Sequence, residues 1–410
     1  MGPGDFHDSR YSWLRLAITL LIAIVGNVGM WAIIVILPAI QSEFGVDRSA
    51  ASLPYAAAMV GFALGNLVIG WAVDRFGISL CLIAAAIGVA LSFAFAALTG
   101  SVLMLSIAQV IVGFGSATSF GPLIADISHW FLRRRGIAVA VAASGNYLSG
   151  AIWPFLLAGV LEEQGWRVAY LLLAGVVLLV MLPLSLLLRR SVPHMPANDG
   201  VIAVPGRAGR VSFTPGQLQM LLAAAGIACC MAMAMPQVHI VALCVDLGYG
   251  PTVGAEMLSL MLLGGVASRL VSGFVADLLG GVRTLLIGSV LQCIALFLFL
   301  PFDGLVSLYL VSLVFGLAQG GIVPSYAIIV REYMPAREAG ARVGAVMMAT
   351  IIGMALGGWM SGWIYDMTGS YQMAFINGIV WNFLNIGIMV LILLNASRGG
   401  RRAAAAISAP

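Results

Sequence analysis

Residues 257–277 read MLSLMLLGGVASRLVSGFVAD, and one arginine in this run decides how the rest of the chain is read. No charge precedes Arg269 within the stretch, and Asp277 closes it. A run this long and apolar is a membrane-spanning helix. An arginine at the middle of such a helix costs about 2.5–3.5 kcal/mol on insertion scales, and it keeps its charge because its pKa lies above about 12. It therefore needs a polar cavity or an anionic partner. The plainer alternative is an arginine near a helix end whose head snorkels to the lipid headgroups. Asp277 follows Arg269 by roughly 12 Å along a helix that rises 1.5 Å per residue, which sets Arg269 near the middle of a core of about 30 Å. That is far for snorkelling, and Arg269 reads as an anion site.

Composition agrees with a membrane setting. The 410 residues are 61% hydrophobic and 9% charged, where soluble domains carry about 25% charged residues. The chain is thus an all-α membrane protein embedded in a lipid bilayer. Its net charge of +4 is no nucleic-acid signal, because the basic residues sit in short segments between apolar runs. All 20 basic residues are arginine, so a mechanism that needs an intramembrane lysine is excluded. The cysteines (Cys81, Cys229, Cys230, Cys244, Cys293) lie in apolar stretches and read as small hydrophobes. Neither metal-ligand nor disulfide-framework spacing occurs, and no metal or cofactor is expected. The N-terminus, MGPGDFHDSRYSWLR, lacks the pattern of a cleavable signal peptide.

Apolar runs separated by charged or Gly/Pro punctuation predict twelve helices, at 14–40, 51–73, 79–99, 102–128, 136–160, 167–188, 215–245, 251–277, 283–300, 305–330, 339–364 and 371–394. Between the sixth and seventh, residues 189–214 hold Pro193, Pro196, Pro205 and several arginines without periodicity. This stretch reads as a cytoplasmic linker between six-helix halves at 1–188 and 215–394, with a tail at 395–410. If the N-terminus lies in the cytoplasm, the outside segments hold only Arg48 and Arg167; every other arginine but Arg269 falls inside. That bias predicts cytoplasmic termini. The halves also repeat. GWAVDRFG (70–77) and GFVADLLG (273–280) share Gly, Asp and Gly at one spacing, 203 residues apart. An internal repeat in a twelve-helix chain is the trace of a transporter built from two pseudo-symmetric bundles.

GWAVDRFG resembles the loop signature after helix two of the major facilitator superfamily. LPAIQSEFGVDRSAAS (37–52), SHWFLRRRGIAVAVAASG (128–145) with GWRVAY (165–170), and GGVASRLVSGFVAD (264–277) resemble its monocarboxylate and oxalate/formate branch. The resemblance implies that Arg269 binds a substrate carboxylate, and that His239, in MPQVHIVALCVDLGYG, matches a helix-seven histidine of bacterial members. There are departures. Helix one, with Asn27, has no lysine, and no acidic residue comes shortly before Arg269. Helix eleven has no second cation, and the tyrosines of helices four and ten are replaced by Ser119 and Ser325, beside Phe120 and Tyr326.

Among the histidines, only His239 lies deep in a predicted span. A buried histidine is commonly a hydrogen-bonded structural residue, but an ordinary pKa near 6.5 suits it to carry a proton. Asn146 and Tyr147, in AASGNYLSG, put two polar side chains amid small residues and could line a cavity. Asn27, Gln109, Ser119, Gln319, Ser325 and Tyr326 are weaker candidates, since a lone Asn or Ser often bonds its own backbone. Asn377, Asn382 and Asn385 read as packing. Asp74 with Arg75, and Asp277, sit at helix ends and suit gating. No phosphate loop or nucleophile–base constellation occurs, which argues against an enzyme.

The expectation is a monomeric secondary transporter of a small monocarboxylate, lactate- or pyruvate-like by the resemblance, moving with a proton across a bacterial inner membrane. Exchange of organic anions without protons is the alternative. A non-transporting membrane sensor is disfavoured, because no tail exceeds about twenty residues, too short for a signalling domain.

Overall fold

The computed structural model describes residues 7–190, 213–301, 303–335 and 338–407. Among these residues every regular element is helical. The first span is Arg10–Gly26 continued by Val28–Phe44, the second Arg48–Phe76, the third Ile78–Ala97, and the fourth Val102–Thr118 continued by Gly121–Trp130. A helical run from Arg135 reaches Leu187 and is broken at Gly165. Then come Pro215–Asp246, Pro251–Leu279, Gly281–Leu298, Leu305–Gln319 continued by Ile322–Tyr333, Ala339–Thr368 and Tyr371–Ile407.

Eleven helices among the described residues are long and apolar enough to cross a membrane, one of them the 52-residue Gly136–Leu187. At 1.5 Å per residue that helix would be about 78 Å long, more than twice a hydrocarbon core of about 30 Å. Gly165, at φ 81° and ψ 168°, is in a region closed to side-chain-bearing residues, and it divides the run into a fifth and a sixth span. The total is twelve. The linker expected at 189–214 lies, for residues 191–212, outside the described residues. The last helix runs on to Ile407 rather than ending near 394.

Three spans are interrupted where unbroken helices are predicted. Asn27 parts the first span, Ser119 and Phe120 the fourth, and Gly320 and Gly321 the tenth. The first two breaks touch: Asn27 Nδ2 donates to the carbonyls of Ala23 and Ser119, satisfying groups that the helix ends leave free.

The twofold repeat is written in how the helices cross. A Cβ on Gly61 would lie 2.0 Å from the Val110 carbonyl oxygen, and one on Gly113 would lie 1.9 Å from that of Ala58. The second half repeats both approaches 203 residues later, with Gly264 at 3.2 Å from the Leu313 oxygen and Gly316 at 2.0 Å from that of Met261. Missing side chains let the second span cross the fourth, and the eighth cross the tenth, backbone against backbone. Gly77 and Gly280, also 203 apart, turn the chain at φ 82° and 84°.

The halves meet along the second and eleventh spans and along the fifth and eighth. Gly358 packs on the Tyr55 ring, Gly362 on the Arg48 backbone, Gly265 on the Tyr147 ring, and Gly150 on Trp31 and Leu262. Large apolar side chains such as Leu67, Trp71, Leu91 and Phe274 face outward, over 60% exposed or close to it, as a lipid-facing surface requires.

Candidate functional site

Arg269 is half-buried on the eighth span. Its guanidinium lies over the Tyr147 ring of the fifth span, 4.1 Å from the ring centre. Nη1 donates to the Ala143 carbonyl at 2.8 Å and Nε to that of Gly320 at 3.4 Å. The break in the tenth span supplies the second acceptor. A Cβ on Gly320 would meet the Gly265 oxygen at 2.1 Å and the Arg269 nitrogen at 2.8 Å. Among the described residues no carboxylate pairs with Arg269, whereas Arg15 pairs with Asp126 at 2.9 Å and Arg48 with Asp246 at 3.0 Å. The pseudo-equivalent of Arg269, 203 residues earlier, is Asn66, which bonds the Phe62 carbonyl of its own helix. The repeat is therefore broken in charge where Arg269 stands.

Polar groups gather round it. Asn146 accepts from the Trp31 indole Nε1, through both its backbone and its side-chain oxygen at 3.0 Å. Trp31 meets Tyr147 edge-on, with ring centres 6.4 Å apart. Gln237 of the seventh span donates through Nε2 to Gln319 Oε1 at 2.6 Å, and both side chains are buried. Trp31 and Gln237 were not among the sequence candidates. Trp31 is one turn beyond Asn27 and so on the same helical face, a signal that could have found it.

The other expected site residues are dispersed. Ser119 is buried at the fourth-span break, and Phe120 packs on Phe62 with ring centres 6.0 Å apart. Ser325 Oγ bonds the Gly321 carbonyl, one turn back in its own span. Tyr326 turns toward the twelfth span and donates to Asn385 Oδ1. Asn382 and Asn385 both bond Ser289 of the ninth span. Asp74, Arg75 and Asp277 are exposed, with Arg75 over the rings of Trp71 and Phe76.

His239 is not in contact with Arg269. Its Nε2 lies 2.7 Å from the Gly358 carbonyl, and its Nδ1 lies 3.1 Å from the Tyr371 hydroxyl. The reason is angular: two residues along a helix turn through about 200°, so Gln237 faces the tenth span while His239 faces the eleventh and twelfth. Tyr371 links His239 to a larger cluster. Its hydroxyl also accepts from Arg48 Nη1, and Arg48 makes a two-pronged pair with Asp246. Asp366 accepts the backbone N–H groups of Arg48 and Ser49 at 2.8 Å. Thr252 and Glu162 hydrogen-bond nearby. These contacts run between the halves at one end of the molecule, whereas Asp74, Arg75 and Asp277 are at the other.

A half-buried cation over an aromatic ring, among amide side chains on spans from both halves, can hold a small anion. The sequence pattern of the Major Facilitator Superfamily matches residues 19–234 and again 220–409. The chain belongs to this superfamily. Bovine monocarboxylate transporter 13 is 30% identical over 284 residues, 69% of this chain and 65% of the bovine protein. Human monocarboxylate transporter 11 is 29% identical over 356 residues, 82% of this chain and 71% of the human protein. The chain thus spans just under two thirds of the bovine relative's length. Among solved structures, a bacterial homologue of the human lysosomal transporter Spinster, in an inward-facing and occupied conformation, superposes with a TM-score of 0.68. It covers 95% of this chain and 96% of its own at 16% identity, a likeness of fold. As a superfamily member with these helices, the chain is a multi-pass membrane protein.

Proposed function

We propose that the chain is a secondary active transporter that carries a small monocarboxylate through the bilayer by alternating access, with lactate- and pyruvate-like acids as its substrate class. The observation that carries this reading is Arg269, a half-buried guanidinium stacked on Tyr147 without a carboxylate partner among the described residues. One fixed cation balances one carboxylate, and a dianion would call for a second. The names of the bovine and human relatives support the same substrate class. With the termini in the cytoplasm of a bacterial cell, as the arginine distribution favours, the Arg48 cluster ties the halves together at the outer end.

For coupling, we propose that a proton moves with the anion and that His239 carries it. Both of its ring nitrogens are engaged away from Arg269, and this favours a second reading, exchange of one carboxylate for another without protons. The carboxylate site is tested by Arg269→Lys. Lysine keeps the charge but loses the two-pronged fork, so affinity for the acid should fall about tenfold to a hundredfold, the span expected for a lost charge-assisted hydrogen bond. Arg269→Ala should fall at least as far. Binding is measured by calorimetry on purified protein and uptake in vesicles, with protein abundance checked. Ordinary affinity in Arg269→Ala sinks the reading.

A further inference from the structure

Gln319 is wholly buried, and its Oε1 accepts from Gln237 Nε2 at 2.6 Å. Its own Nε2 has no hydrogen-bond partner among the described residues. An amide donor buried without an acceptor is unusual, and this one lies beside the anion site. A Cβ built on Gly265 would be 3.0 Å from Tyr147 Cδ2 and Cε2, and 3.8 Å from Gln319 Nε2. The missing side chain at Gly265 thus lets the Tyr147 ring pack directly on the eighth span, with the Gln319 amide beside that contact. Gly265 is one turn before Arg269, on the same face of the eighth span. Long side chains on a helix lean toward its N-terminus, so the guanidinium leans from Arg269 toward this contact and meets the same ring.

We infer that Gln319 is a specificity-determining residue, whose side-chain amide donates a hydrogen bond to an oxygen on the carbon next to the substrate's carboxylate. The inference rests on Arg269 as the carboxylate site. With the carboxylate on the guanidinium, an oxygen on the adjacent carbon gives Nε2 the acceptor it lacks. The site then takes 2-oxo and 2-hydroxy acids ahead of plain short fatty acids, which leave the buried donor unmatched. A site built to hydrogen-bond one group rejects analogues without it far more strongly than a site that only fits their shape. Gln237 is the positioning residue, since its bond to Oε1 turns the NH₂ group of Gln319 away from the seventh span.

The experiment is calorimetric titration of the purified full chain with pyruvate, lactate and propionate, comparing wild type, Gln319→Met and Arg269→Ala. Wild type should bind pyruvate and lactate about tenfold to a hundredfold more tightly than propionate, the range for a buried donor left unmatched. Gln319→Met keeps the length but not the donor. It should bind all three acids as weakly as wild type binds propionate, with propionate itself unchanged. Pyruvate decides the direction of the bond, because it offers only an acceptor at that carbon; a preference confined to lactate would mean that the amide accepts, and the inference falls. It falls also if wild type does not discriminate, or if Gln319→Met weakens all three acids alike. Binding indifferent to Arg269→Ala overturns the carboxylate site itself, whereas binding that needs Arg269 but ignores Gln319 overturns this inference alone. Should Gln319→Met fail to fold, Gln319→Asn makes the same test, since it keeps the amide and withdraws it by one methylene.

Discussion

His239 shows how one side chain can answer to two demands. In the neutral ring, Nε2–H donates to the Gly358 carbonyl, and Nδ1 accepts the Tyr371 hydroxyl proton, while the Tyr371 oxygen accepts from Arg48. A second ring proton would turn Nδ1 into a donor facing an oxygen that already accepts, and would strand the hydroxyl proton. Closure at the Arg48 end and protonation of His239 therefore compete. Substitution by glutamine separates the two roles, because its amide can donate to Gly358 and accept from Tyr371 but does not titrate. In proteoliposomes with an inward acid gradient and no internal substrate, wild type should accumulate the acid against its gradient. His239→Gln should lose that accumulation and keep exchange of labelled for unlabelled substrate. A wild type that ignores the gradient and needs internal anion is an exchanger; full accumulation in the variant moves the proton site to another residue. The sequence exposed part of this chemistry. Arg269 stands out as a charge in an apolar run, and Tyr147 as a polar ring among small residues. The separation of His239 from Arg269 was hidden, because the seventh span is apolar on every side and no polar face fixes its rotation. Gln319 is a weak candidate from sequence alone, since nothing in AQGG tells an unmatched donor from one that bonds its own helix.

The elements are held by close crossings, and these give a test within each half. Gly316 lies where a Cβ would come 2.0 Å from the Met261 oxygen, and 2.8 Å and 3.0 Å from that residue's carbonyl carbon and Cα. Backbone cannot swing aside as a flexible side chain can, so Gly316→Ala must push the tenth span off the eighth. A loss of about 1–3 kcal/mol is expected for such overpacking, read as a lower thermal midpoint of the purified protein. Gly113→Ala should act alike at the equivalent crossing of the second and fourth spans. Gly175 in the sixth span has no atom of the described residues within 4 Å of its Cβ position, and Gly175→Ala should be neutral or slightly stabilising, by up to about 1 kcal/mol. Equal midpoints for Gly316→Ala and Gly175→Ala would contradict the crossing geometry. The twelve spans were legible because apolar length is what a bilayer demands of a helix. The breaks at Asn27 and Ser119 were not, since Asn and Ser are tolerated inside helices when they bond a carbonyl one turn back, as Asn27 also does with Ala23. Gly320-Gly321 did carry a breaker signal, but a glycine pair fits close packing equally well.

At the scale of the molecule, what matters is that the halves are tied at one end. Arg48 reaches Asp246 and Tyr371 through its side chain and Asp366 through its backbone, partners about 200 to 320 residues away along the chain, which no local pattern could have paired. Its side chain is 7% exposed, and its guanidinium also lies 4.4 Å from the Tyr365 ring centre. Removing one partner of a fully buried ion pair costs about 3–5 kcal/mol; Asp246 is exposed, so the loss of Arg48 costs less than that. About 5.5 kcal/mol is enough to carry a two-state equilibrium from 1:99 to 99:1. If the molecule alternates between closure at this end and closure at the other, Arg48→Ala should move a measurable share of it to the second form. Spin labels at the exposed positions Ser42 and Met367, in a background without the native cysteines, report across the Arg48 end, and labels at Leu132 and Leu279 report across the opposite end. Wild type should give a dominant short distance for the first pair. Arg48→Ala should add a longer component there and a shorter one for the second pair, the two changing together because each half moves as a body. Asp246→Asn should act in the same direction but more weakly, since it leaves the Arg48 contact with Tyr371 in place. Unchanged distances in both variants would mean that the Arg48 cluster stabilises the fold without governing access. A longer first distance without a shorter second one would mean that this end frays by itself, and alternating access would need another latch.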